Sequence, residues 1–573
     1  MIKDLRIALI FGFFAFLSLI LTARLFWLQV LKHSEYEDIA WKQHSASRVV
    51  PARRGNIYSS DNYPLALTDT KYLLFANPNE IKDASSVAHK LAPILETDAE
   101  KVADEEQDIK PKLSSGLYWV VLARDLDNSV RDAIQSLGIA GLGVEEVYSR
   151  YYPEGYMASH VLGYVRSDEV GNPKGYFGVE GYYDGDLRGI AGNVFQEKDA
   201  YGLPISIGQY EKIPPKNGRS LVLTLDRTVQ FIVESKLKEG VDKYRAKSGT
   251  ILVVEPQTGK VLALANYPDF DPANPFPDVS DGEESKDETR NLAVASVYEP
   301  GSVVKALTMS AAVDLGKITP ESTYMDDGPK VFSGHTVDNW NGKHHGLETM
   351  ISILQHSNNL GAAYVGHLVG AGDLSKYFER FGFGSKTGID LEGEDTGIVH
   401  DPSTWTDIDL ATAAFGQGVS ATPLQVTMAF SAIANDGILM KPMLVSGIVN
   451  DSGSVVSKFT PQEVRRVISH KSADILVDML TQAVSGGEEK FFVSKKYLVA
   501  GKTGTAQIPE NGKYDLNKTN ATFVGFLPKS RKFVMLVKLE EPEASIYAAE
   551  TSVPMWMDIA ENIAAYYRIP PDK

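Results

Sequence analysis

The segment from Ile7 to Ala23 carries no charged side chain and holds Phe11, Phe13, Phe14 and Phe16. At about 1.5 Å per helical residue it nearly crosses a hydrocarbon layer of roughly 30 Å. Arg24 interrupts the run, but its stem can lie along apolar surface while Leu25, Phe26, Trp27 and Leu28 prolong the stretch. A membrane anchor over residues 1–28 is therefore expected. A cleaved signal peptide is the alternative, and Leu21-Thr22-Ala23 makes a poor small-x-small cleavage site with further apolar residues behind it. Lys3 and Arg6 favour a cytoplasmic N-terminus, although Arg24, Lys32 and Lys42 blunt the charge rule. The rest of the chain is then expected outside the cytoplasm.

A chain of 573 residues, 43% hydrophobic, is long enough for at least two packed domains and too apolar for general disorder. A net charge of −17 without a long basic run argues against nucleic-acid binding. The absence of cysteine removes disulfides, thiolate nucleophiles and zinc-thiolate sites together.

From Glu35 to about Val50 the pattern reads as polar helix, followed by a loop entering a strand at Pro51 to Tyr58. Residues 72–145 read as a small α+β region, with Val87 and Leu91 at helical spacing over Ala84 to Ala92, before Pro93. Pro214-Pro215-Lys216-Asn217-Gly218 is the best linker candidate and sets a domain boundary near residue 216. Beyond it, strands are expected at Ser220 to Leu225, Gly249 to Val254, Val261 to Ala265, Thr522 to Leu527 and Phe533 to Leu539. A helix is expected over Thr228 to Tyr244, and mainly helices between the early and late strands.

Without cysteine, nucleophilic acyl chemistry falls to serine, threonine, lysine or a carboxylate, and a serine needs a neighbouring base. S-x-x-K occurs at Ser235 to Lys238, inside a polar surface helix, and at Ser302-Val303-Val304-Lys305, where an apolar helix opens. Residues three apart share a helix face, so Lys305 can reach the Ser302 hydroxyl. A buried lysine loses its charge readily and serves as a base near neutral pH. Free N–H groups at the helix start stabilise a developing oxyanion. The bland reading is an N-cap serine with a surface lysine one turn on.

Two further elements follow in order: Ser357-Asn358-Asn359, a polar break between helical stretches, and Lys502-Thr503-Gly504-Thr505. Ser60-Asp61-Asn62 and Lys386-Thr387-Gly388 spell similar triplets, but neither keeps order, spacing and strand context together. This set is the signature of serine penicillin-recognising acyl transferases. The chain further resembles a class B penicillin-binding protein at Arg53-Arg54-Gly55-Asn56-Ile57, Gly178 to Gly181, Asp184 to Gly189, Phe383 to Leu391 and Phe415 to Gln425.

The resemblance implies a multidomain α+β protein with a single N-terminal transmembrane helix. An elongated pedestal over 29–215 and a penicillin-binding transpeptidase domain over 216–573 would follow, the latter an antiparallel sheet flanked by helices. It implies a peptidoglycan D,D-transpeptidase that cross-links stem peptides, anchored in the bacterial cell membrane and inhibited by β-lactams. On that likeness Ser302 is the nucleophile, Lys305 its base, Ser357 the proton relay to the leaving amine, and Asn359 the holder of the substrate amide and Lys305. Lys502, Thr503 and Thr505 would bind the substrate carboxylate, and the backbone N–H groups of Ser302 and Thr505 would form the oxyanion hole. Gly504 would leave room for a substrate strand. Asn358 departs from the serine or aspartate of many relatives. No cofactor or metal is implied; His344 and His345 read as solvated or capping. Expected partners are stem-peptide donors and amine acceptors, a membrane glycosyltransferase and division proteins. Tyr298-Glu299-Pro300-Gly301 and the Gly178 to Gly189 stretch look more like the division type than the elongation type. A β-lactamase and a β-lactam sensor or scaffold without turnover are the rival outcomes.

Overall fold

The computed structural model describes residues 2–168, 172–197, 210–276, 288–510 and 513–573. It divides into two units, one of residues 1–53 with 189–217, the other of 54–188 with 218–573. In the first, an α-helix Ile2–Phe26 runs on through Trp27–Leu31. Asp4–Leu31 is long and apolar enough to cross a membrane, with none of it buried against protein. After a second helix, His33–His44, the strand Ser45–Val50 pairs antiparallel with Gly192–Glu197, which pairs with Tyr210–Ile213. The helix expected to run to Val50 thus stops at His44. Pairing with a strand remote in sequence overrides the local pattern, as the β-branched end of the segment, Val49-Val50, favours.

The second unit is built on a five-stranded sheet in the order Lys260–Tyr267, Ser248–Glu255, Val534–Glu540, Lys513–Phe526, Ala500–Glu510, every pair antiparallel. Successive side chains of a strand face opposite ways. Leu252 and Val254 therefore enter one core with the helices Lys305–Asp314, Pro423–Ala434 and His470–Gly486. Ile251 and Val253 enter another, beneath Arg227–Tyr244 and Ser552–Tyr566. Trp556 anchors that second face, its Nε1 donating to Met535 O at 2.8 Å. Ala500–Glu510 is left as an edge strand.

Pro64–Ala76 pairs with Val120–Leu126 and Leu142–Tyr151 in a seven-stranded sheet that continues through Ile57–Tyr58, Ser220–Leu223, Val445–Val449 and Val455–Lys458, and its outer part is backed by helices Ala84–Leu95 and Val102–Leu113. Pro93 lies inside Ala84–Leu95 rather than after it. Three of the singled-out sequence segments converge here. Arg54 Nε donates to Glu180 Oε2 and its Nη1 to Asp184 Oδ1, both at 2.7 Å, while Arg150 Nε donates to Glu180 Oε1 at 2.6 Å. The buried Glu180 carboxylate is thereby satisfied by two guanidinium groups, which repays its desolvation.

Candidate active site

Ser302 lies on a short 3-10 helix, Gly301–Val304, which passes directly into the α-helix Lys305–Asp314. The sequence suggested one continuous α-helix. In the tighter 3-10 turn residues i and i+3 eclipse, so Ser302 and Lys305 are stacked on one side of it. Gly301, at φ +56°, donates its N–H to Gly416 O at 3.1 Å, tying the turn to the Phe415–Gly418 segment.

Lys305 is fully buried. Its Nζ donates to Ser357 O at 2.5 Å, to Asn359 Oδ1 at 2.8 Å and to Ser357 Oγ at 3.2 Å. Burial, and after it the nearby Lys502 ammonium, hold its pKa well below the usual lysine value, against the pull of Glu488 and Glu348. The Ser302 hydroxyl has no hydrogen-bond partner among the described residues. The amine expected beside it is engaged by the second motif instead.

That motif sits between helices Met350–Gln355 and Asn359–Val369. Ser357 takes the left-handed conformation at φ +51°, which turns the chain sharply. Asn359 Nδ2 donates to Asp338 O at 3.1 Å, so its Oδ1 is the atom left to face Lys305. Asn358 caps the second helix, its Oδ1 accepting from Gly361 N at 2.7 Å. Its Nδ2 donates to Asp326 Oδ2 at 2.8 Å and to Glu348 Oε2. Those carboxylates come from the paired strands Thr323–Asp326 and Gly346–Thr349 and are both buried. His344 and His345, expected in solvent or at caps, are both exposed and also meet Asp326: His344 Nδ1 lies 3.1 Å from Oδ1, and His345 N donates to Oδ2 at 3.2 Å. The loop between the strands folds back over the carboxylate, a placement that depends on pairing remote from the histidines themselves.

Asn358 is thus a bridge between two buried acids. Asn358→Asp would remove both donors and add a third carboxylate, so a stability loss of about 3–5 kcal/mol is expected. Urea unfolding beside an Asn358→Ser control measures it, and equal stability for the two variants contradicts the bridge.

The third motif lies on the edge strand Ala500–Glu510. A Cβ at Gly504 would fall 2.5 Å from Pro300 O and 2.8 Å from Val303 Cγ2. The glycine therefore admits the nucleophile turn, a different reason from the substrate clearance expected of it. Lys502 is buried, and its Nζ donates to Thr503 Oγ1 at 3.0 Å. Thr505 Oγ1 accepts from Ala548 N at 3.0 Å.

A cavity of about 560 Å³ is lined by Ser302, Ser357, Asn359, Thr503 and Thr505, together with Glu488, Trp340 and Tyr547. The Trp340 and Tyr547 rings meet edge to face, centroids 5.4 Å apart. All three motifs thus contribute to one cleft, and the buried Lys305 and Lys502 contact its lining residues Ser357, Asn359 and Thr503 from behind. The arrangement can activate a serine hydroxyl, bind an anion beside Lys502 and accommodate an extended peptide. Glu488, Trp340 and Tyr547 were not foreseen; each precedes or follows its motif at a distance no local pattern marks.

The alternative triplets stand apart from this cleft chemistry. Ser235 and Lys238 lie on Arg227–Tyr244, and Thr387 and Gly388 give their N–H groups to Glu394, closing a loop.

A family model described as the penicillin binding protein transpeptidase domain matches residues 249–562, and one described as the penicillin-binding protein dimerisation domain matches residues 49–223. Stage V sporulation protein D of Bacillus subtilis is 32% identical over 550 residues, covering 95% of this chain and 82% of its own. The peptidoglycan D,D-transpeptidase FtsI of Escherichia coli is 27% identical over 576 residues, covering 99% and 92%. The crystal structure of penicillin binding protein 3 from Mycobacterium tuberculosis complexed with ampicillin is similar at a TM-score of 0.69 and 25% identity, over 92% of this chain and 97% of that one.

Proposed function

We infer from one premise, that this chain belongs to the class B penicillin-binding proteins, that it cross-links peptidoglycan stem peptides through a Ser302 acyl-enzyme during septal wall synthesis. The protein is a serine-type D,D-transpeptidase, and β-lactams are its covalent inhibitors. One observation carries the residue assignment: the buried Lys305 amine is held by Ser357 and Asn359 a single turn from an unengaged serine hydroxyl.

In the proposed reaction Lys305 Nζ takes the Ser302 Oγ proton as Oγ bonds to the carbonyl carbon of the penultimate D-Ala. The backbone N–H groups of Ser302 and Thr505 would hold the oxyanion. The C–N bond to terminal D-Ala breaks, and Ser357 passes the proton from Lys305 to the departing amine. Asn359 would hold the substrate amide, while Lys502 and Thr505 meet the terminal carboxylate. A neighbouring stem amine then attacks the ester, gives up its proton to the same base, and Ser302 regains it as the ester opens. Gly504, with no side chain, keeps the edge strand close to the nucleophile while its partner-free edge takes an extended peptide.

The chain is a single-pass membrane protein, which we orient with residues 1–28 as cytoplasmic tail and anchor in the cell membrane. Residues 29–215 would form the extracytoplasmic pedestal, and 216–573 the catalytic domain. The septal role rests on the Tyr298 to Gly301 and Gly178 to Gly189 stretches and brings a membrane glycosyltransferase and division proteins as partners. Purified full-length protein given a stem pentapeptide and a D-amino acid is expected to release D-Ala and exchange it for the added amino acid, with ampicillin blocking both. Release without exchange would reassign it to hydrolysis, and acylation by ampicillin with neither product would leave a sensor. A fluorescent fusion concentrated along the side wall rather than at midcell would overturn the septal role.

A further inference from the structure

Lys502 is 1% exposed and forms no direct ion pair among the described residues; its side-chain contacts are Thr503 O at 3.4 Å and Thr503 Oγ1 at 3.0 Å. A buried ammonium requires counter-charge. The Thr503 hydroxyl gives its only proton to Glu489 Oε1 at 2.9 Å, so the acceptor side of the same oxygen faces Lys502. Glu489 is 4% exposed and sits on the short turn Glu488–Phe491 that follows helix His470–Gly486. The turn is packed to take it: a Cβ at Gly487 would lie 2.6 Å from Glu489 Oε2 and from Ala483 O, and 2.9 Å from Gln355 O.

We propose that Glu489 is a positioning residue for Lys502, acting through Thr503, and that it leaves Lys502 and Thr505 to recognise the carboxylate of the acyl donor. With its proton committed to Glu489, Thr503 has none to offer an incoming anion. Thr505 accepts from Ala548 N and keeps its own proton to donate. The charged groups that face Lys502 are Glu489 and Glu488 on the turn and Lys305 across the cleft, while His356 faces Glu488. Burial lowers the pKa of Lys502, and Glu489 and then Glu488 pull it back up. Removing the charge of Glu489 therefore lets Lys502 deprotonate at lower pH, and the carboxylate site is lost there.

The inference rests on the transpeptidase reading, and its test separates the two. Acylation rates of the full chain are measured against pH with benzylpenicillin and with its methyl ester, which lacks the free carboxylate. Glu489→Gln is expected to slow acylation by benzylpenicillin about tenfold and to move the alkaline limb down by about one pH unit. At pH values where Lys502 keeps its proton in both proteins, its rate with the ester should equal that of the wild type. Thr503→Val, which keeps the volume, should reproduce the loss, and the double variant should be no slower than either single one. An unchanged limb, an equal loss with the ester, or multiplying losses would overturn the proposal. Should Glu489→Gln fail to fold, Thr503→Val alone carries the comparison of penicillin with ester. A wild type that benzylpenicillin does not acylate would instead refute the reading beneath it.

Discussion

Ser302→Ala is expected to abolish covalent labelling by a fluorescent penicillin while leaving the protein folded. The substitution removes the one oxygen placed to form the acyl ester, on a turn whose neighbours offer no substitute: Val303 and Val304 are apolar, and Ser357 is engaged by Lys305. The native hydroxyl has no hydrogen-bond partner among the described residues, so its deletion leaves no buried group unsatisfied. Stability should stay within about 0.5 kcal/mol of the wild type. Labelling read on a denaturing gel, beside a thermal melt, checks both halves. A labelled variant would move the nucleophile elsewhere and dissolve the assignment of all three motifs.

Lys305→Met should slow acylation by about 10²–10⁴-fold, the range that a positioned proton acceptor contributes. The wild-type rate should rise with pH, because only the neutral amine accepts the Ser302 proton. The buried setting and the Lys502 charge lower the pKa of Lys305, so that rise falls below the usual lysine range. Methionine fills much of the volume but carries no proton, so the variant should lose the rise as well as the rate. Time courses of penicillin labelling across pH provide the measurement. A variant that keeps the wild-type rate, or keeps its pH dependence, would show that another group takes the proton.

Fold and site were legible in different parts of the sequence. Strands such as Ser248–Glu255 and Val534–Glu540 were legible because a sheet buried on both faces leaves nearly continuous apolar runs. Ser302, Lys305, Ser357, Asn359 and Lys502 were legible because their chemistry recurs at an order and spacing that few chains share. Three features lay beyond that reach. The 3-10 start of the nucleophile helix depends on the clasp between Gly301 and Gly416, more than a hundred residues on. Asn358 looked like the silent middle of its triplet, yet its amide joins acids delivered by two separate strands. Glu489 is 14 residues before Thr503, and nothing along the chain announces that a glycine pair folds it back against the edge strand. In each case the missing information was tertiary: which backbone approaches which.

The strand order of the five-stranded sheet also governs how the chain must mature. The hairpin Ser248–Tyr267 emerges early, yet the neighbour of its inner strand is Val534–Glu540, close to the end of the chain. Until that last strand arrives, a row of unpaired backbone N–H and C=O groups on the apolar strand Ser248–Glu255 stands open to pairing with other chains. Closing it requires a loop of nearly three hundred residues, which makes assembly slow and the half-made chain prone to self-association. A stop codon before residue 534 would therefore yield an unfinished sheet with a sticky flank, not a smaller working domain.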